Sequence, residues 1–206
     1  MSIYGLSIRD TASAVIDGTL VLEASPARPI PLLTLGLAGT QLVVNGTVDL
    51  RNGADIDGRQ STGIRVGQSG LLRSSTAGQN PSSVNAPVEL AGRVDAAAGT
   101  LQTILPITTA PRSSTALLST SGGSLEVGAL EAGIGSRATI EGTGVTLYSL
   151  GITPGGGAGD IVVGSGLLHI ITWTPKGSGS LHVMPGAAAE VTTGAQGGWR
   201  SRTATG

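Results

Sequence analysis

The stretch Thr40–Leu72, TQLVVNGTVDLRNGADIDGRQSTGIRVGQSGLL, decides how this chain folds. Short apolar runs, Leu42 to Val44, Val48 to Leu50 and Ile64 to Val66, are separated by Asn45-Gly46, Asn52-Gly53, Asp57-Gly58 and Gly67. Asn, Asp and Gly accept the positive φ that a tight turn needs. A chain written this way turns every few residues. Within the runs the side chains alternate, so Leu42/Val44 and Ile64/Val66 are expected on an inner face and Gln41, Val43 and Arg65 on the outer one.

The same rule extends in both directions. Upstream, Ile3 to Ile8 and Ala14 to Leu22 are apolar, and Asp17-Gly18 turns the second run into a hairpin or a first layer. Three prolines, Pro26, Pro29 and Pro31, then remove backbone donors and force an extended arm. Downstream, residues 73–87 (RSSTAGQNPSSVNAP) read as a polar contact loop broken by Asn80-Pro81 and Ala86-Pro87. Strands resume at Val88 to Leu90 and Gly92 to Val94, and the alanines within Asp95 to Gly99 predict a helical turn. Leu101 to Ile107 is apolar, Thr108 to Thr115 is a second loop, and residues 117–151 repeat the opening pattern. After the glycine-rich turn at 154–160, two more layers run to Val191. The expected organisation is N-terminal strands and a proline arm over 1–31, a β-rich body over 32–191 and a tail over 192–206.

Composition narrows the class. The 206 residues include 34 Gly and no Phe, and aromatics are 2%, so any core must be built from Ala, Val, Ile and Leu. Mean hydropathy is +0.25, too apolar for a disordered chain. Lys176 is the one lysine beside eleven arginines, and the net charge is −1, which supplies no basic field for nucleic acid or anionic lipid. With no Cys there are neither disulfides nor thiolate metal sites. Arg9 and Asp10 interrupt the N-terminal apolar run, against a secretory signal, and no apolar run reaches the roughly 20 residues of a spanning helix.

Short strands, frequent turns and aliphatic filling predict an all-β fold, a β-solenoid or β-helix in which successive coils stack at about 4.8 Å. No hexapeptide or nonapeptide period runs through the chain, so a β-sandwich or jelly roll is the alternative. Open ends and a weakly charged surface, expected of a chain with only 12% charged residues, point to a homotrimer.

The residues with chemical potential also have simpler roles open to them. Asp55 and Asp57, with Asp49 nearby, offer paired carboxylates for glycan hydrolysis or oxygen ligands for calcium. The acid spacing of a calcium loop is not completed, and the expectation is a turn residue at Asp57 and a solvated Asp55. His169 and His182 are the only histidines; with Asp160 and Glu190 as nominal partners they lack a metal-ligand cluster and are expected on outer strand faces. Gly155 to Asp160 lacks the Lys and Ser/Thr of a phosphate loop. Gly164-Ser165-Gly166 and Gly177-Ser178-Gly179 are turns rather than nucleophile elbows. Trp173 is expected to pack at a solenoid end and Trp199 to make a protein contact. No catalytic residue, metal ligand or cofactor site is expected.

The GTQLVVNGTVDLRNGADIDG type of strand-turn repeat, the proline arm and the absence of Cys together resemble virion structural proteins of tailed bacteriophages. The nearest classes are capsid decoration or cement proteins and short tail spikes or fibres. The likeness lies in texture across most of the chain, so it transfers no functional residue. It implies a non-enzymatic homotrimer, assembled in the host cytoplasm into a virion, clamping the major capsid protein or other virion proteins. The contacts would come from Pro26, Pro29 and Pro31 in the arm and Trp199, Arg200 and Arg202 in the tail. A receptor-binding spike segment recognising a host surface glycan is the alternative, and a polysaccharide-degrading β-helix enzyme a more distant one.

Overall fold

A computed structural model describes residues 6–8, 13–25, 33–36, 38–58, 62–77, 80–152, 159–174 and 180–193. The described residues are all β, and their parallel strands stack as a solenoid of about 7 turns. The strands form three columns. The first holds β1 (Leu6–Ile8), β4 (Leu33–Leu35), β7 (Asp55–Asp57), β10 (Ser82–Asn85), β13 (Thr100–Thr103) and β16 (Ser124–Val127). The second holds β2 (Ser13–Ile16), β5 (Gln41–Val44), β8 (Gly63–Val66), β11 (Val88–Leu90), β14 (Ile107–Thr109) and β17 (Leu130–Ala132). The third is a separate sheet of β3 (Thr19–Glu23), β6 (Thr47–Arg51), β9 (Leu71–Thr76), β12 (Arg93–Ala96), β15 (Ala116–Thr120), β18 (Arg137–Glu141), β20 (Asp160–Val163) and β22 (Ser180–Val183).

The first two columns merge near the C-terminal end. The eight-residue strand β19 (Val145–Ile152) pairs with β16 through Val145–Leu147 and with β17 through Leu150–Ile152, so one strand spans both faces. The long strand β21 (Leu167–Thr174) and then β23 (Ala188–Thr193) continue on it. A three-sided solenoid thereby becomes two-sided.

The interior is a set of aliphatic ladders, one inward residue per coil. One runs Leu42, Ile64, Val88, Ile107, Leu130, Leu150, each paired in register with the next. Another runs Val48, Leu72, Val94, Leu118, Ile140, Val163. All of these are essentially inaccessible to water. Branched aliphatics fit a column set by the strand spacing, which explains a core without Phe.

Two expectations are corrected here. Residues 73–87 are not one loop, because β9 runs on to Thr76 and β10 occupies Ser82–Asn85. Ser74 and Ser83 are tolerated in strands because a neighbouring coil supplies partners: Ser74 Oγ donates to Ala98 O at 2.7 Å and Ser83 Oγ to Asp55 at 2.7 Å. Nor is there a helical turn at Asp95 to Gly99. Asp95 and Ala96 end β12, and Ala97 and Ala98 form a bend whose amides both donate to Ser74 O. Small residues are used there for close packing at a corner. Asp17-Gly18 likewise makes a corner between strands of different sheets, the first-layer alternative to a hairpin, and β1 to β3 stack directly on β4 to β6.

Two inward positions, Ser82 and Thr103, carry a buried hydroxyl without a hydrogen-bond partner among the described residues. Thr103 sits between Val84 and Val127 in its ladder, and its buried Oγ1 makes no hydrogen bond. Replacing it with the isosteric valine removes a desolvated hydroxyl. Thr103→Val is expected to raise stability by about 1 kcal/mol, read as a higher urea midpoint at unchanged slope.

Candidate functional site

Among the described residues, several outward polar side chains are partnered one coil away. Asn45 Nδ2 donates to Asp17 (2.9 Å), Asn52 Nδ2 to Glu23 (3.0 Å), Asn85 Nδ2 to Asp57 (3.0 Å) and Gln102 Nε2 to Glu126 (2.7 Å). Asp55 accepts from both the amide and the hydroxyl of Ser83. Asp55 is therefore half-buried and bonded rather than solvated, and Asp57 is a strand residue preceding Gly58 that bonds across coils. This is the use of the Asp and Asn that crowd the opening stretch: they tie coil to coil.

Asp49 is the exception in kind. It lies on the outward side of β6 yet is wholly buried beneath two arginines of 36% side-chain exposure. Arg51 Nε and Nη2 both lie 2.9 Å from Oδ2, and Arg73 Nη2 lies 3.3 Å from it. Oδ1 lacks a well-directed hydrogen bond but is 3.3 Å from Arg73 Nε, so the charge is paired although the geometry is loose. Burial alone would raise the carboxyl pKa. Hydrogen bonds from Ser75, Arg73 and Arg51 and the Arg73 charge outweigh it and hold the pKa below its usual value. The next two coils of this sheet continue the theme, since Arg93 pairs with nearly buried Asp95 at 3.2 Å and Asp95 also accepts from Ser119 and Ser121. This is a lock between coils, chemically occupied by its own cations.

The histidines lie on the last coils. His169 Nδ1 is 3.4 Å from Glu190. Ser180 donates to Asp160 and lies 2.7 Å from His182 Nε2, while Arg137 stands 3.8 Å from Asp160. With its proton directed at Asp160, Ser180 accepts from His182, the reverse of the proton flow that would activate a nucleophile. Among the described residues no group of three His, Cys, Asp or Glu side chains is placed to hold a metal, and no helix is long and apolar enough to cross a membrane.

A shallow groove of about 480 Å³ runs over the second column. It extends from Gln41 on β5 across Arg65, Glu89 and Thr108 to Glu131 on β17, so it crosses five coils. Arg65, Glu89, Thr108 and Glu131 occupy one outward register position. Arg65 Nε and Glu89 pair at 3.2 Å. Pro87, Pro111 and exposed Ile134 add apolar surface. Behind it, buried Thr109 bonds Ser136 and accepts from Gly133 N (2.7 Å), fixing the corner that carries Ile134. Sequence reading missed this site. Its residues lie in different coils of unequal length, and nothing local joins them.

The partner-contact residues proposed from sequence, Pro26, Pro29, Pro31, Trp199, Arg200 and Arg202, lie outside the described residues, as does most of the 154–160 turn. Trp173 is placed on β21, in register with Leu150. No protein-family model, curated protein or solved structure matches the chain.

Proposed function

We propose that this chain is a non-enzymatic structural protein of a virus particle, a decoration protein whose rigid solenoid, as a homotrimer, braces neighbouring capsid subunits. The observation that carries this reading is the last described coil. In it the inward positions Leu181, Val183 and Ala189 are only partly buried, and Val191 is 41% exposed, while Val163, Leu168 and Ile170 one coil earlier are sealed. Among the described residues, apolar inward positions exposed at a sheet edge support contact with another protein surface. The cross-coil pairing of the outward acids and amides also supports a role in rigidity over one in chemistry.

Two measurements test it. Quantified in purified particles, the protein should scale with the major capsid protein; a few copies per particle would sink the reading. Val191→Glu should leave the isolated chain folded, with Tm within about 2 °C of the parent, because the site is already partly wet. The same variant should lower the heat resistance of filled particles by removing apolar contact. Unchanged particles would mean that the open coil is not the bracing surface.

A further inference from the structure

We propose that the groove on the second column is a binding site for a neutral, hydroxyl-rich linear glycan lying along the solenoid axis. This does not depend on the particle reading, since the site is built within one chain. The groove spans four coil steps, about 19 Å at the strand spacing, so it is shaped for a chain and not for a compact metabolite. Along it Gln41, Glu89, Thr108 and Glu131 present acceptors and hydroxyl or amide groups, and Arg65 presents donors. The lining sets Arg65 against Glu89 and Glu131, a formal net of −1 that Arg112, next to Pro111 in the chain, offsets, which disfavours a strongly charged ligand. Mixed donors and acceptors over the apolar surface of Pro87, Pro111 and Ile134 match a sugar, which carries hydroxyls at its edge and C–H groups on its face.

The backbone beside the groove residue Pro111 takes an uncommon conformation. Ala110 to Ser113 close a turn through Ser113 N to Ala110 O at 3.1 Å, with Pro111 second and Arg112 third. Arg112 has φ 59°, the left-handed value that a type II turn assigns to glycine. Its amide bonds Ile134 O at 2.9 Å and its Cγ lies 3.8 Å from where a Cβ on Gly135 would stand. Arg112 thus holds a large cationic side chain at a position favouring glycine, next in the chain to the groove residue Pro111, which makes it a candidate contact at the groove's edge.

The test uses the full chain titrated by calorimetry and saturation-transfer NMR with neutral gluco-, manno- and galacto-hexasaccharides, and with uncharged hexapeptides as the rival occupant. At least one hexasaccharide should bind with Kd at or below about 1 mM, and Glu131→Ala should weaken it by about tenfold at unchanged Tm. Arg112→Gly should weaken the same binding while leaving Tm unchanged or higher, a split that a purely structural residue would not give. No saccharide binding at about ten times that concentration would overturn the proposal. So would binding that both variants leave intact, or binding of the hexapeptides alone.

Discussion

Gly92→Ala is expected to lower Tm by roughly 6–12 °C, while Gly18→Ala, at the equivalent position of the first coil, leaves it almost unmoved. Gly18, Gly46, Gly70 and Gly92 stack at one corner, where the strand amides following Gly46, Gly70 and Gly92 donate to the glycine carbonyl one coil below. A Cβ on Gly92 would meet the carbonyl oxygens of Gly67 and Gly70, both backbone atoms held in the ladder. Neither can move without breaking hydrogen bonds, so the substitution costs about 3 kcal/mol, the upper end of ordinary overpacking. A Cβ on Gly18 meets nothing within 4 Å. Differential scanning fluorimetry of the two variants checks the contrast, and equal shifts would mean that the corner is not set by close approach.

The second large effect is at Asp49. Removing both cations, as in Arg51→Met with Arg73→Met, strands a buried carboxylate and is expected to cost about 4 kcal/mol. Asp49→Asn alone should cost less, about 2 kcal/mol, because the half-exposed arginines can turn to water. Adding Asp49→Asn to the double variant should therefore recover stability. Since the folded pKa is depressed, the contribution is fully present above the unfolded carboxylate value of about 3.9 and is lost as pH falls through the lower folded value. Urea midpoints between neutral pH and about pH 2.5 should thus fall more in the parent than in Asp49→Asn. Parallel acid curves would show that the lock adds no stability.

The fold was legible in the sequence because a solenoid repeats its local physics. Leu42/Val44 and Ile64/Val66 face inward, and Asn52-Gly53 turns with φ of 57° and 78°, as the alternation and the turn residues require. Where the reading failed, context outweighed propensity. Ser82 and Ser83 look like loop residues alone but take strand geometry between β7 and β13, whose ladders satisfy the backbone. The Asp49 lock and the groove were hidden for a different reason. Coils vary from 19 residues, Val88 to its partner Ile107, to 28, Val15 to its partner Val43, so no fixed spacing tells which residues will be neighbours.

The merging of two faces into the single strands β19 and β21 has a consequence for where the chain accepts insertions. Gly128 and Ala129 separate β16 from β17 at a bend, whereas Tyr148 and Ser149 continue β19 without a break between the parts that pair with β16 and β17. A short insertion is therefore expected to be tolerated at Gly128–Ala129 and to split a paired strand at Tyr148–Ser149.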